Sequence, residues 1–311
     1  MDDRLDSPAS LPGSAGARRL TAADFDQELL ELYDFYAHGR ITKREFLDRA
    51  GKFALGGLTA GALLSMMSPD YALAEQVSFN DPDIRAEWVT YPSPDGHGEV
   101  RGYLVTPTNV TAPMPAVLVV HENRGLNPYI RDVARRAAKA GFLALAPDGL
   151  SSVGGYPGND EAGRALQQSV DGAKLMNDFF AATEWLMGHE ASTGKVGCVG
   201  FCYGGGVCNA LAVAYPELGA SVPFYGRQPK AEDVVRIKAP MLIQLAELDT
   251  RINEGWPAYE AALQAAGTPY EAHIYPGVNH GFHNDSTPRY DAAAAELAWT
   301  RTLAHFDVHL R

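Results

Sequence analysis

From residue 77 onward, short apolar runs alternate with longer stretches whose apolar residues recur at helical spacing. Pro115-Ala116-Val117-Leu118-Val119-Val120 is apolar throughout, the pattern of a strand buried on both faces. Residues 87–91 and 100–106 read as an antiparallel pair across the turn-rich Ser93-Pro94-Asp95-Gly96-His97-Gly98. Further strands are predicted at 142–146, 195–200, 221–225, 241–246 and 270–275. Helices are predicted at 130–140, where Gly141 supplies the stop, and at 170–187, 204–215, 256–266 and 290–310. Strands and helices alternating at these lengths give an α/β fold, a mostly parallel sheet with helices on both faces. Such sheets carry their sites at the carboxyl ends of the strands. The body is therefore one domain over 77–311.

The extension over residues 1–76 follows a different pattern. Residues 1–23 are rich in Gly, Ser, Ala and Pro and are expected to begin in disorder. Residues 24–40 read as a helix with Leu29, Leu32, Tyr33 and Tyr36 on one face. Thr42-Lys43-Arg44-Glu45-Phe46-Leu47-Asp48 then precedes an apolar stretch of 15 residues, 53–67. A stable membrane span needs about 20 residues, so none is expected here. Two readings stay open. The stretch suits a signal-peptide core with cleavage after Ala74, and the basic block resembles a twin-arginine export motif with Lys43 replacing the first arginine. That reading makes the protein exported or periplasmic. Alternatively the segment is a helical arm of a cytoplasmic protein, packed on the body or on a second copy in a homo-oligomer. An arm would have to bury Leu55, Leu58, Leu63 and Leu64.

Composition narrows the partners. A formal charge of −12 with no basic block argues against nucleic acid, whose binding needs clustered cations. The three cysteines, Cys198, Cys202 and Cys208, are an odd number crowded together, so no disulfide framework is expected. Their spacings do not match a zinc site either, and no metal or cofactor is expected from them.

Gly200-Phe201-Cys202-Tyr203-Gly204-Gly205 follows the predicted strand at 195–200 and has the G-x-S-x-G layout with cysteine in the serine position. A nucleophile there sits on a tight strand-to-helix turn, with the next backbone N–H, that of Tyr203, aimed at a developing oxyanion. The helix start also favours a thiolate at Cys202. An acid and then a histidine must follow at later strand ends. Asp249 lies just past 241–246, in Ala246-Glu247-Leu248-Asp249, and is preferred over Glu247. His280 follows 270–275, in Asn279-His280-Gly281-Phe282, and is preferred over His283, which is read as lining the pocket. His38, His97, His189, His273 and His309 are read as surface or packing residues.

These segments, together with His121-Glu122-Asn123-Arg124-Gly125 after the strand at 115–120, resemble the dienelactone hydrolase family of α/β-hydrolases, over roughly residue 87 to the C-terminus. The resemblance implies that Glu122 is a fourth active-site member, which helps deprotonate the cysteine when substrate binds. It also implies a second oxyanion N–H from Asn123. Read on the residues alone, Glu122 could instead be an N-cap or a salt-bridge partner of Arg124. The family's best-known members grip a substrate carboxylate with two arginines. Here the matching regions read Asp148-Gly149-Leu150-Ser151-Ser152 and His283-Asn284, with no arginine. Arg124 and Arg227 are the cations left near predicted strand ends.

The expected function is hydrolysis of a small ester or lactone through a Cys202 thioester, with His280 and Asp249 behind it. A general short-chain carboxylesterase of the same fold is the nearest rival. A thiol redox or stress protein using Cys202 with Cys198 or Cys208 belongs to a different class, as does a catalytically silent binding protein.

Overall fold

The computed structural model describes residues 18–311, so most of the Gly- and Pro-rich start lies outside the described residues. The body holds one eight-stranded sheet, ordered β1-β2-β4-β3-β5-β6-β7-β8. Strands β1 (Ile84–Ser93) and β2 (Gly98–Pro107) form the antiparallel edge, and β2 also pairs antiparallel with β4 (Leu143–Pro147). From β4 onward all pairs are parallel, through β3 (Met114–Val120), β5 (Ser192–Phe201), β6 (Ala220–Phe224), β7 (Met241–Ala246) and β8 (Tyr270–Tyr275).

Helices cover both faces. Along β3 the side chains alternate: Val117 and Val119 join one apolar cluster with Ile130, Val133 and Phe306, while Leu118 and Val120 join another with Phe179, Leu211 and Leu263. The first face is covered by α4 (Pro128–Lys139) and α10 (Ala292–Leu310), the second by α6 (Gly172–Met187), α7 (Tyr203–Ala214) and α9 (Trp256–Ala266). Two short helices escape the sequence pattern: α5 (Asp160–Ser169), which buries only Gly163 of its own residues, and α8 (Thr250–Asn253), a single turn. Neither carries the apolar stripe by which helices are recognised.

Residues 27–67 fold as α1 (Gln27–Ala37), α2 (Lys43–Ala50) and α3 (Ala60–Met67). Their apolar side chains form a cluster of their own around Phe46, Leu29, Tyr33 and Tyr36. The basic block opens α2: Thr42 is its N-cap, accepting from the Glu45 N–H at 3.2 Å, while the Glu45 carboxylate accepts from the Thr42 N–H at 2.7 Å. This reciprocal pair is a capping box. The apolar stretch 53–67 is not one helix, because Gly56 and Gly57 take positive φ of 62° and 88° and break it. Leu63 and Leu64 are buried, whereas Leu55 and Leu58 are 75% and 44% exposed, so only half of the leucines expected of an arm are covered. Among the described residues no helix is long and apolar enough to cross a membrane.

Candidate active site

Strand β5 delivers the chain to Cys202, whose φ of 58° and ψ of −111° are rare for a residue with a side chain. Holding such a conformation costs about 1–3 kcal/mol, and its neighbours make it possible. A Cβ on Gly200 would lie 2.1 Å from the Gly204 carbonyl oxygen, and one on Gly204 2.3 Å from that of Val120. Only glycine lets α7 start this close to the sheet. The Cys202 N–H donates to Phe224 at 3.1 Å, fixing the turn against β6. Tyr203, as first residue of α7, has an N–H with no intrahelical acceptor.

Asp249 and His280 stand beyond the ends of β7 and β8. Asp249 caps α8 by accepting from the Ile252 N–H at 3.2 Å, and its other oxygen lies 2.5 Å from His280 Nδ1. His280 is 4% exposed, and its Nε2 has no hydrogen-bond partner among the described residues. Cys202 Sγ and one nitrogen each of His280 and His38 all lie within 4.8 Å of one another.

His38 is a residue that sequence reading gave no more than a surface or packing role. It caps the C-terminus of α1, and its Nε2 sits 3.1 Å from Cys202 Sγ. Its Nδ1 faces Asp34 one turn earlier, 2.8 Å from the carbonyl oxygen and 3.2 Å from the carboxylate. The His38 and His280 rings meet edge to face at 4.6 Å. Two further groups were missed. Arg251 reaches Asp34 at 3.3 Å, His38 Nε2 at 3.2 Å and His280 Nδ1 at 3.1 Å, and Arg289 reaches Asp34 at 3.2 Å. The available signal was the helical spacing of Asp34 and His38, which puts them on one face of α1; only docking against the body gives that face its meaning.

Burial alone would push the Cys202 thiol up, yet His38 and His280 beside it hold it well below the usual thiol range. Burial likewise opposes a charge on His280, but Asp249, Asp34 and Cys202 raise it to about 10. Cys202 and Asp34 raise His38 against the same opposition from burial. These directions favour a thiolate at Cys202 and a proton on the histidines beside it. Such a thiolate can attack a carbonyl without a separate base.

Of the other expected residues, Glu122 stays close enough to Cys202 for the sulfur's charge to act on it, and the rest take separate places. Glu122 is buried, accepts from Asn284 at 2.9 Å, and is raised by burial. The Asn123 side chain donates to the Ala37 carbonyl at 2.8 Å, tying the loop after β3 to the arm. Arg124 is buried against Asp160 at 2.6 Å. Arg227 is exposed and lines a cavity of about 610 Å³ with Arg40, Arg251 and Gln228. His283 does not line the pocket as expected: it is 1% exposed, stacks on Phe201 at 4.9 Å and meets the Tyr129 hydroxyl at 2.7 Å. It belongs to the aromatic packing under the site, where burial and then Arg136 keep it neutral. A second cavity, about 590 Å³, lies between the arm and Arg124, Tyr156 and Asp160. Cys202 lines neither of these cavities, nor the small one of about 30 Å³ beside His280.

The dienelactone hydrolase family profile matches residues 100–310. The chain belongs to the dienelactone hydrolase family. A second profile, described as YqhI-like, matches residues 17–54, the part of the arm that carries Asp34 and His38. Relatives of this dienelactone hydrolase family member include the hydrolase fragment YghX of Escherichia coli, 71% identical over 114 residues, 37% of this chain and 97% of that protein. A Bradyrhizobium protein named as a 2-oxo-3-(5-oxofuran-2-ylidene)propanoate lactonase is 34% identical, covering 73% of this chain and 96% of its own. A Klebsiella pneumoniae protein crystallised under the name dienelactone hydrolase superposes with a TM-score of 0.65 at 29% identity, over 72% of this chain and 98% of that one.

Proposed function

We propose that this protein hydrolyses small carboxylic esters or lactones through a thioester on Cys202. One observation carries the reading: a cysteine on a strained strand-to-helix turn has a buried histidine beside it, whose Nδ1 is bound to Asp249 and whose Nε2 is unpartnered. The lactonase and dienelactone hydrolase names of the relatives support the substrate class.

In this mechanism the Cys202 thiolate attacks the ester carbonyl, and the N–H groups of Tyr203 and Asn123 stabilise the tetrahedral oxyanion. Collapse expels the alkoxide or enolate, which takes a proton from His280. Neutral His280, oriented by Asp249, then draws a proton from water as that water attacks the thioester, and the thiolate is restored. Glu122 is held by Asn284 at rest, and with the thiolate already formed this cycle gives it no proton to take.

A substrate carboxylate is assigned to Arg251 and Arg289 rather than to Arg124 and Arg227. Arg124 is already neutralised by Asp160, while the first two guanidiniums converge on the carboxylate of Asp34, which is separated from Cys202 by the His38 ring. A substrate carboxylate would replace Asp34 when the arm withdraws. Withdrawal is required, because a reacting carbon must come within about 3–3.5 Å of the sulfur, where His38 stands. We infer that the arm is retained in the working protein, since it supplies a packed cluster and two polar groups to the site. N-terminal sequencing of the native protein checks this; a start near Glu75 would favour export instead.

The redox alternative has weaker support: burial and then Cys198 raise the Cys208 thiol well above its ordinary value, which makes it a poor partner for exchange. The test is a panel of esters and lactones, with and without a carboxylate, run in reductant. Cys202→Ala should abolish turnover while Cys198→Ala and Cys208→Ala retain most of it. Equal loss in all three folded variants would overturn the assignment.

A further inference from the structure

Two imidazoles and a thiol from three distant segments converge on one buried point. We propose that the closed site is also a binding site for a thiophilic divalent cation of the zinc class, held by Cys202 Sγ and the Nε2 atoms of His38 and His280, which staples the arm over the nucleophile and silences it.

The donor set selects the ion. Thiolate and imidazole suit zinc, whereas magnesium and calcium want oxygen ligands. Both histidines are arranged as ligands usually are, with the second ring nitrogen fixed by a carboxylate or a backbone carbonyl. His280 Nδ1 is held by the Asp249 carboxylate at 2.5 Å, and His38 Nδ1 by the Asp34 carbonyl oxygen at 2.8 Å, with the Asp34 carboxylate at 3.2 Å. That leaves each Nε2 facing the sulfur. The His280 Nε2 is a free ligand position: the residue is 4% exposed, and this atom has no hydrogen-bond partner among the described residues.

Distances fit after small movements. Zn–S of about 2.3 Å and Zn–N of about 2.0–2.1 Å give tetrahedral donor separations of about 3.3–3.6 Å. Here the sulfur stands 3.1 Å from His38 Nε2, and the widest pair lies within 4.8 Å. Three protein ligands leave a fourth position for water. The charges also suit a dication: the thiolate, Asp34 and Asp249 oppose Arg251 and Arg289. Arg251 must swing its terminal nitrogen off His38 Nε2, 3.2 Å away, and off His280 Nδ1, 3.1 Å away; its Nε contact with Asp34 at 3.3 Å does not involve that nitrogen. Binding releases to solvent the proton on each Nε2 that carries one, and no electron moves.

The body alone offers only Cys202 and His280. The third ligand comes from α1, so binding and arm closure are one event. The consequence for catalysis rests on the reading of Cys202 as nucleophile; the binding does not.

Calorimetric titration of the full, metal-stripped chain with Zn²⁺ tests this, with Co²⁺ as spectroscopic probe. The expected result is one ion per chain and a thiolate-to-cobalt charge-transfer absorption. Both His38→Ala and Cys202→Ser should weaken Zn²⁺ by more than about tenfold, since loss of even a supporting partner costs about 10–100-fold. His38→Gln, a polar side chain of similar reach, repeats the measurement should the alanine variant unfold. No binding, a smaller ratio in either variant, or a cobalt spectrum without the thiolate band would overturn the proposal. Because no substrate is present, an inactive enzyme would leave this result readable, and a failed titration would leave the hydrolase reading standing.

Discussion

Loosening the arm from within should expose the nucleophile, and Phe46→Ala is the substitution that does so without touching the site. Phe46 is fully buried in the arm's own cluster, with its ring 5.5 Å from that of Tyr36 and 6.4 Å from that of Tyr33. Removing a buried phenylalanine costs about 3–5 kcal/mol, and little of this falls on the body, whose clusters are separate. At about 1.4 kcal/mol per tenfold, even 3 kcal/mol raises the population with an undocked arm by roughly a hundredfold. The assay is the rate of Cys202 alkylation by iodoacetamide, followed by peptide mass spectrometry in chelator at pH 9. That pH matters, because undocking also removes His38 from the thiolate; an ordinary thiol of pKa about 8.5 is still mostly ionised there. Alkylation should accelerate by one to two orders of magnitude while the denaturant midpoint of the body stays near wild type. If limited proteolysis shows the arm released and the alkylation rate is unchanged, the arm does not cover the thiol.

Asp249→Asn should lower kcat by about 10³–10⁴, as expected when a catalytic histidine loses its orienting carboxylate, with a smaller effect on KM. Its effect on stability should depend on pH with a definite sign. His280 is raised to about 10 from an ordinary value near 6.5, so the pair's contribution is complete below about pH 6.5 and is lost as pH rises through 10. The stability difference between wild type and Asp249→Asn, measured by denaturant unfolding in chelator, should therefore shrink across that window; a constant difference would contradict the assigned ion pair. Arg289→Met should raise KM for carboxylate-bearing esters at least tenfold and leave neutral esters nearly unchanged, and equal effects on both would remove Arg289 from substrate binding. Gly204→Ala should lower the melting temperature measurably, because its Cβ would press 2.3 Å from the Val120 carbonyl oxygen; a wild-type melting curve would show that the turn can relax.

The body was legible because its signals are local. The strands Met241–Ala246 and Tyr270–Tyr275 match their predicted bounds, since each is a compact run closed by turn residues. The glycines around Cys202 announce their purpose, because no other residue fits between β5 and α7. His38 was not legible, because nothing near it in the chain marks it; it meets Cys202 across 164 positions of sequence. Arg251 and Arg289 were missed for a similar reason. They face the site through a one-turn helix and an irregular segment that no periodicity describes. His283 misled in the opposite direction: its neighbours suggested a pocket, but the rings of Phe201, Phe224 and Trp299 close around it. The capping box Thr42–Glu45 was present in the sequence and is as good a sign of a helix start as the basic pair is of an export signal.

The most direct measurement is mass spectrometry of the full chain, quenched in acid within milliseconds of mixing with an activated ester or small lactone. Thioester formation predicts an adduct of the acyl mass on the peptide carrying Cys202. The adduct should appear before product accumulates, decay with turnover, persist in His280→Ala and be absent from Cys202→Ala. Sustained hydrolysis with no adduct on that peptide, accompanied by activity in Cys202→Ala, would contradict it.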